Sequence, residues 1–371
     1  MQRRQLNYEW KREEMKKQDL EFLKDLVEAP SPSGFEAPAA AVLRARLEKS
    51  ADNVSTNVMG SVHAELKAKD AKQSVMLAGH IDEIGLMVNY ISPEGYISFK
   101  AIGGVDAAIL PGTRVNVHTA SGDYLGVMGR KPIHLIDSDE RKNVTPIEKL
   151  FIDMGMKGDE VKKIVRIGDC ITFNIDFVEF GDDLIVSRAM DDKMGAWIST
   201  RVLEEVKKRG GAKVDLFVAG TVQEEVGLRG GETSAYGLNP TIGIAVEVGH
   251  ATDYPDIDKR NHGENIVGDG PIIGRGPNIN PVLFDMLVAA AEKAGVPFQI
   301  GAEPRGTGTD ANAIQLSRGG KVAGVLSVPL RYMHTQNEVL SKKDLDASVA
   351  LLTEFILMLN EENDFTPRLA E

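Results

Sequence analysis

Four apolar runs without polar alternation constrain the fold of this 371-residue chain more than any other feature. They are SVMLAGH (74–80), VDLFVAGT (214–221), TIGIAVEV (241–248) and KVAGVLSV (321–328). A strand of this composition must be covered on both faces, as in a parallel sheet between two layers of helices. Predicted helices alternate with these strands at 192–209, 281–294 and 342–359, and another begins at Asp310. The sequence therefore predicts an α/β fold with a mostly parallel sheet flanked by helices.

Two further helices are predicted before the first of these strands. Apolar residues recur at helical spacing after Asp19, and the segment 29–34 ends that helix because it contains two prolines and a glycine. The second helix covers 37–49. Residues 2–18 mix both charge signs with few apolar side chains, which predicts a frayed arm or an exposed helix start.

The stretch 92–183 has a different pattern. Short β-rich pieces (GYISFKAI, TRVNVHTA, DYLGVMG and CITFNIDF) are separated by Gly, Pro and Asp turns, which favours a small barrel or sandwich. One helix is predicted among them, because the sequence 145–148 (TPIE) combines an N-cap, a proline at the first helical position and a capping-box glutamate. We therefore predict a discontinuous α/β domain of residues 1–91 and 184–371, into which 92–183 is inserted as a small β-barrel-like domain.

Composition excludes several classes of protein. Hydrophobic residues make up 42% of the chain and charged residues 26%, which suits a globular protein and argues against disorder. The formal net charge of −12 disfavours non-specific nucleic-acid binding. A single cysteine, Cys170, excludes an internal disulfide and a Cys-rich zinc site, and it favours a reducing compartment. No apolar run reaches the roughly 18 residues of a membrane span, and the N-terminus has no secretory pattern, so we expect a cytoplasmic protein without membrane or nucleic-acid partners.

Side chains that bind metal ions follow five of the predicted strands. They are His80 with Asp82 and Glu83, Asp191 with Asp192, Glu224 with Glu225, Glu247, and His334. Because ligands bind beyond the carboxyl ends of parallel strands, we expect these residues to meet at one rim of one sheet. Imidazoles and carboxylates without a thiolate suit a pair of divalent ions such as zinc, cobalt or manganese. Two ions about 3.5–4 Å apart share a bridging carboxylate and a water that becomes hydroxide near neutral pH.

Two of these groups suggest a division of labour. Asp82 lies two residues after His80, so in an extended strand its side chain can hold the second ring nitrogen of that histidine. In the pair Glu224-Glu225, one carboxylate can bind metal while the other serves as general base and acid. Taken singly, such a histidine is more often structural, and such an acidic pair is more often a solvated face or a helix cap. The coincidence at five strand ends favours the metal site.

Other residues allow milder interpretations. His250 and Asp253 are predicted either to line a cleft or to stabilise their own loop. Asp310 is predicted to be a helix N-cap, with a cleft role as the alternative. His134 fits a turn or interface, and Cys170 fits a small core position.

Several strings then point to a known family. AGHIDEIGLMV, AMDDKMG, GTVQEEVGLRG, GTDANAIQLSRGG and RYMHTQNEV resemble those of the glutamyl/deblocking aminopeptidases, also called tetrahedral aminopeptidases. The similarity extends from about Asp19 through nearly the whole chain, and the order and spacing of the motifs are specific to this family. The resemblance implies a dinuclear zinc-peptidase-like domain and a metal-dependent exopeptidase that removes N-terminal amino acids from short peptides.

The resemblance also implies a role for each residue at the predicted rim. The implied metal ligands are His80, Asp191, Glu225, Glu247 and His334. Among them Asp191 bridges the two ions, and a cis peptide follows it. Glu224 is implied as the general base, and Asp82 as the residue that orients His80.

The implied cofactor is two divalent metal ions per subunit, with zinc or cobalt favoured. The implied role of the β-rich insertion is dimerisation. In relatives, twelve subunits form a hollow tetrahedral particle, which predicts a homo-oligomer and possible dodecamer built from dimers.

Glu247 departs from the family pattern, which usually has aspartate at this place. Among relatives with this kind of metal centre, aspartate there accompanies aminopeptidases, whereas glutamate accompanies carboxypeptidases and deacylases. A carboxypeptidase or deacylase therefore stays open as an alternative. Two carboxylates also serve glycoside hydrolysis, so an endoglucanase is a second alternative, although that chemistry needs no paired histidines. A non-enzymatic shell protein is the third.

Overall fold

The computed structural model describes residues 15–138 and 140–367, so residues 2–14 of the predicted arm lie outside the described part of the chain. Within these ranges the α-helices are α1 (Lys17–Glu28), α2 (Ala37–Leu47), α3 (Gly158–Ile164), α4 (Met190–Lys208), α5 (Arg229–Leu238), α6 (Lys259–His262), α7 (Pro281–Ala294), α8 (Asp310–Leu316) and α9 (Lys342–Met358). In the same part of the chain, no helix is long and apolar enough to cross a membrane.

The same part of the chain contains seventeen strands. They are β1 (Asn53–Thr56), β2 (Val62–Leu66), β3 (Ser74–His80), β4 (Gly85–Ile91), β5 (Ile97–Ile102), β6 (Arg114–Thr119), β7 (Gly122–Gly129), β8 (Phe151–Asp153), β9 (Cys170–Phe173), β10 (Val178–Phe180), β11 (Leu184–Ser187), β12 (Asp215–Thr221), β13 (Ile242–His250), β14 (Ile272–Arg275), β15 (Gln299–Ala302), β16 (Val322–Leu330) and β17 (Glu338–Ser341).

The main sheet has eight strands in the order β1-β2-β12-β3-β13-β16-β14-β15. Its centre is parallel, because β12, β3, β13 and β16 all run the same way, while β2 and β14 join this centre antiparallel. The four apolar runs form those four central strands. The mostly parallel α/β fold predicted from the sequence is therefore confirmed.

Helices cover both faces of this sheet, which explains why its central strands lack polar alternation. Helices α4, α7 and α9 bury one face together with Leu77 of β3. Helices α5 and α8 bury the other face together with Met76. Helix ends follow the sequence signals: before α7, Asn280 accepts hydrogen bonds from the N–H groups of residues 282 and 283, and Gly295 ends the helix with a positive φ.

The β-rich insertion is a closed six-stranded barrel in the order β4-β5-β8-β7-β6-β9, which confirms the predicted barrel. It has a core of its own, to which Leu86, Val115 and Ile152 belong. The barrel strands run from Gly85 to Phe173, so the barrel begins before the predicted boundary at 92. Strands β10 and β11 instead form a separate three-stranded sheet with β17, in which β11 is the central strand. Cys170 is buried, as predicted.

The helix predicted from the sequence 145–148 was wrong. Only a single 3₁₀ turn forms at Ile147–Lys149, and the preceding Pro146 is extended. The chain then enters the barrel, where Leu150 and Ile152 are buried and β8 pairs with β5 and β7. Burial of this apolar pair outweighs the local capping signals. The α-helix of the insertion is α3 instead.

Close approach of α4 to β3 depends on Gly79, because a Cβ added there would lie 2.3 Å from the backbone nitrogen of Ala196. We expect Gly79→Ala to lower the free energy of unfolding by at least about 2 kcal/mol through overpacking. Gly237 of α5 is the matched control, because no atom lies within 4 Å of an added Cβ. Urea unfolding monitored by circular dichroism measures both. A wild-type midpoint for Gly79→Ala would show that the two elements can separate without cost.

Candidate metal centre and active site

The structure brings the predicted site residues together at the carboxyl edge of the central strands. His80 ends β3, Glu247 lies on β13, and Glu224 and Glu225 follow β12. Of the remaining two candidates, Asp191 reaches the site differently from the prediction, and His334 follows β16 as predicted. Asp191 lies at the start of α4, because the strand before it, β11, belongs to the small sheet and not to the main one. His334 lies in the turn between β16 and β17.

Asp191 lies between the two imidazoles. Its Oδ1 is 3.1 Å from Nε2 of His80, and its Oδ2 is 3.3 Å from Nε2 of His334. Glu225 Oε1 lies 3.4 Å from the same nitrogen of His334, and Glu247 Oε2 lies 3.9 Å from that of His80. The peptide bond between residues 191 and 192 is cis, as the resemblance implied. The five candidate ligands therefore lie side by side, with Glu247 near His80, Glu225 near His334 and Asp191 between the two imidazoles.

These donors fit divalent cations. The ligand atoms of His80, Asp191 and Glu225 lie within 4.8 Å of one another, as do those of His80, Asp192 and Glu247. One carboxylate oxygen of Glu225 and one of Glu247 are buried without a hydrogen-bond partner among the described residues. A buried oxygen that has lost its water must be compensated. Two cations bound by nitrogen and oxygen donors would supply that compensation.

The pKa values of the cluster also indicate that it can bind cations. Contacts with Asp191 and Glu225 raise the pKa of His334 to about 11. Burial raises the pKa of Glu247 well above its ordinary value, and it raises that of Glu224 to about 8. Burial first, and then the neighbouring carboxylates, thus favour the protonated forms of Glu224 and Glu247, whereas the two imidazoles lower the pKa of Asp191. Metal ions can replace those protons.

Hydrogen bonds orient both imidazoles so that Nε2 faces the cluster. Nδ1 of His80 donates to the carbonyl oxygen of Asp82 at 3.0 Å, and Nδ1 of His334 donates to that of Gly104 at 3.0 Å. Because a carbonyl can only accept, each Nδ1 carries the proton and each Nε2 is left as a metal ligand. Gly104 lies just after β5 of the barrel, so the inserted barrel holds one candidate ligand.

The Asp82 carboxylate serves a different partner from the one that the sequence suggested. Its Oδ1 is 3.6 Å from Nδ1 of His80, which is held mainly by the Asp82 main chain. The same carboxylate accepts the backbone N–H groups of Glu224 and Glu225, at 3.0 and 3.2 Å, and the hydroxyl of Ser33 at 2.6 Å. Asp82 therefore fixes the loop that carries the two glutamates.

Sequence reasoning missed Glu338, although it lies in the RYMHTQNEV string. This carboxylate is 2% exposed and accepts the backbone N–H of Asp191 at 3.2 Å and that of His334 at 3.0 Å. It therefore ties the two candidate ligands to β17. The only sequence signal was an acidic residue within an otherwise buried strand.

Glu83, which the sequence placed with His80 and Asp82 at the rim, lies instead in an ion-pair network behind the site. Glu83 forms buried ion pairs with Arg188 and with Lys193, the latter at 3.2 Å. Although burial opposes ionisation, the positive charges of Arg188 and Lys193 lower the pKa of Glu83 to about 2. Glu83 also accepts the backbone N–H of Ser31 at 2.9 Å. This network holds the loop after β3 against the chain that leads into α4.

The milder predictions have mixed outcomes. The N-cap of α8 is Thr309 and not Asp310, whose carboxylate is buried and accepts the hydroxyl of Thr221 at 2.6 Å. The Asp253 carboxylate accepts two hydrogen bonds from the guanidinium group of Arg331, at 2.5 and 2.8 Å, and so stabilises its own region. His250 lines a cavity of about 410 Å³ that opens beside the cluster.

A parallel sheet with imidazoles and carboxylates at its carboxyl edge is the architecture of a metal-dependent hydrolase. Residues 60–351 match the model of the family described as M42 glutamyl aminopeptidase. A lysyl aminopeptidase of Pyrococcus furiosus is 33% identical over 356 residues, which cover 94% of this chain and 99% of that protein. The chain belongs to the M42 glutamyl aminopeptidase family.

Solved structures agree with that assignment. A TET aminopeptidase from a marine-sediment archaeon of the Thaumarchaeota superposes with a TM-score of 0.88 at 33% identity, covering 93% of this chain and 97% of that one. The TET1 peptidase of Pyrococcus horikoshii, which assembles into a tetrahedron or a large octahedral shell, gives 0.81 at 29% identity over 92% and 100% of the two chains. The chain is thus a metal-dependent exopeptidase of the aminopeptidase type, as predicted, and the three alternatives are not favoured.

We expect Glu338→Gln to weaken zinc binding about 10- to 100-fold. In the wild type, each carboxylate oxygen accepts one backbone N–H, from Asp191 or from His334, whereas the amide of the variant has a single acceptor oxygen for both. Competition with a chelating indicator measures the affinity. Glu232→Gln, on the exposed surface of α5, is the control and should bind zinc as the wild type does. Equal affinity in the two variants would show that Glu338 does not position the ligands.

Proposed function

We propose that this chain removes N-terminal residues from short peptides with two divalent cations, zinc or cobalt. The observation that carries the proposal is Asp191, whose two carboxylate oxygens each face a different imidazole within 3.3 Å. Asp191 would be shared by the two ions. His80 and Glu247 would hold one ion with it, and Glu225 and His334 would hold the other.

Bound cations of this kind would polarise the scissile carbonyl. They would also lower the pKa of water, so that hydroxide is available near neutral pH to attack that carbonyl. The chain's own residues then have to move a proton. The Glu224 side chain lines the cavity and makes no hydrogen bond to another described residue, and its Oε2 lies 3.8 Å from Nε2 of His80. Because Asp82 holds its backbone N–H, Glu224 is fixed where it can accept the proton of the attacking water and pass it to the leaving amine.

Glu247 is proposed as a ligand despite the aspartate that is usual at its place. It is 3% exposed, and one of its oxygens lacks a hydrogen-bond partner. The extra methylene therefore does not carry the carboxylate away from the rim. Family membership supports the amino end of the peptide as the site of attack.

The proposed assembly is a homo-oligomer built from dimers through the barrel, with a tetrahedral dodecamer as its final form. The support is an exposed apolar surface on the barrel, where Leu125, Val127, Ile133 and Leu135 are each 46–65% exposed. Apolar surface of this kind is typical of an interaction site. The single cysteine is the support for a cytoplasmic location.

We expect Glu224→Gln to keep the metal and the fold and to lose about 10²- to 10⁴-fold in kcat, because the amide cannot accept the proton. Metal content by atomic absorption and peptide turnover are measured on the same preparation. Glu232→Gln again serves as the control. Turnover within twofold of the wild type would refute Glu224 as the base.

One short peptide in free, N-acetylated and C-amidated forms tests the substrate end. With added zinc or cobalt, we expect loss of single N-terminal residues from the free and amidated forms only, and no products after treatment with a chelator. Mass spectrometry identifies the products. Trimming from the C-terminus would mean that this chain, with Glu247 at its rim, is a carboxypeptidase. Removal of the acetyl group would mean that it is a deacylase.

A further inference from the structure

The cavity beside the cluster extends along one face of the main sheet. In register, Glu247 of β13 is paired with Ser327 of β16, and Val325 lies two residues earlier on the same face of β16. Both Ser327 and Val325 line the cavity, and so does Glu303, which directly follows β15. The strand order β13-β16-β14-β15 separates the backbones of β13 and β15 by roughly 14 Å at about 4.8 Å per step. Glu303 therefore lies on the side of the cavity opposite Glu247.

The Glu303 carboxylate has no partner within the described part of the chain. The backbone N–H of Glu303 donates to the carbonyl of Arg275 at 2.9 Å, but the carboxylate forms no hydrogen bond or ion pair with residues 15–138 or 140–367. Burial raises the pKa of this carboxyl, and the imidazole of His250 opposes the rise. A half-buried carboxylate in this state gains from a cationic partner.

Apart from Glu303, His250 and the residues of the cluster, the side chains that line the cavity are apolar or carry hydroxyl groups. Leu228, Val325 and Met333 supply apolar surface, and Thr307 and Thr309 supply hydroxyls. Among the described residues that line the cavity there is no lysine or arginine, and His250 is the other ionisable group of the wall. A long aliphatic side chain can pack on such a surface while its charged end remains free to form an ion pair.

Charge compensation distinguishes Glu303 from the other acidic residues of the cavity. Asp191, Glu225 and Glu247 are the proposed metal ligands, so bound cations balance them, and Glu224 is the proposed general base beside those cations. Glu303 lies outside that set, and its charge faces the space that a substrate side chain would occupy. A peptide bound with its first residue at the rim would direct that side chain along the cavity.

We propose that Glu303 selects peptides whose N-terminal residue is lysine or arginine, by pairing with the cationic end of that side chain. The proposal rests on the proposed aminopeptidase function and specifies its substrate class. In this arrangement the aliphatic stem packs along Val325, and the ammonium or guanidinium group reaches the Glu303 carboxylate.

The p-nitroanilides of L-lysine and L-norleucine test the proposal, because the two amino acids have the same straight chain and differ in the terminal ammonium group. With cobalt-loaded wild type we expect kcat/KM to favour lysine by about tenfold or more. Glu303→Gln should lower kcat/KM for lysine by about tenfold or more and leave that for norleucine within about twofold, as expected for one lost charge-assisted hydrogen bond. Glu303→Lys should reverse the preference towards the p-nitroanilide of L-glutamate.

Glu292→Gln is the matched control, since Glu292 is exposed on α7 outside the cavity. It should keep the wild-type ratio of lysine to norleucine. A wild type that prefers norleucine, or an unchanged ratio in Glu303→Gln, would overturn the specificity and leave the aminopeptidase activity standing. If the loaded wild type cleaves none of the three substrates, the proposed function fails, and the proposal that rests on it fails too.

Discussion

Burial of carboxylates around the start of α4 is the constraint on which the rest of the structure depends. Asp191, Asp192 and Glu338 are each less than a tenth exposed, and ionised carboxylates in such surroundings need donors or cations beside them. Backbone N–H groups satisfy part of that need, and two imidazoles satisfy more. The oxygens of Glu225 and Glu247 that remain unpaired explain why divalent cations suit this rim. The glycine contacts that press α4 against β3 are what bring those carboxylates close to His80.

Geometry separates the acidic residues of the rim into two sets. Asp82 and Glu338 are occupied by backbone N–H groups, so they hold loops and are not available to a cation. Glu225 and Glu247 each retain an oxygen without a partner, so they can bind one. Glu224 belongs to neither set, which is compatible with its proposed role as the general base.

The inserted barrel contributes to the site as well as to the proposed assembly. The carbonyl of Gly104 accepts from His334, and the carbonyl of Ile109 accepts from the side chain of Gln336 at 2.8 Å. Both carbonyls lie in the segment between β5 and β6. A subunit contact on the barrel would therefore be connected by two hydrogen bonds to the turn that carries His334, one of them to His334 itself.

The sequence by itself determined the α/β pattern, the barrel insertion and the chemical types at the metal centre, because buried strands and the polar residues after them are local signals. Local signals failed at 145–148, where burial of Ile152 in the barrel outweighed helix capping. Only the tertiary structure revealed Glu338, because a carboxylate that holds distant backbone groups has no sequence pattern. It alone placed Glu303 on the cavity wall, because the order in which strands pair across a sheet depends on packing between segments far apart in the chain.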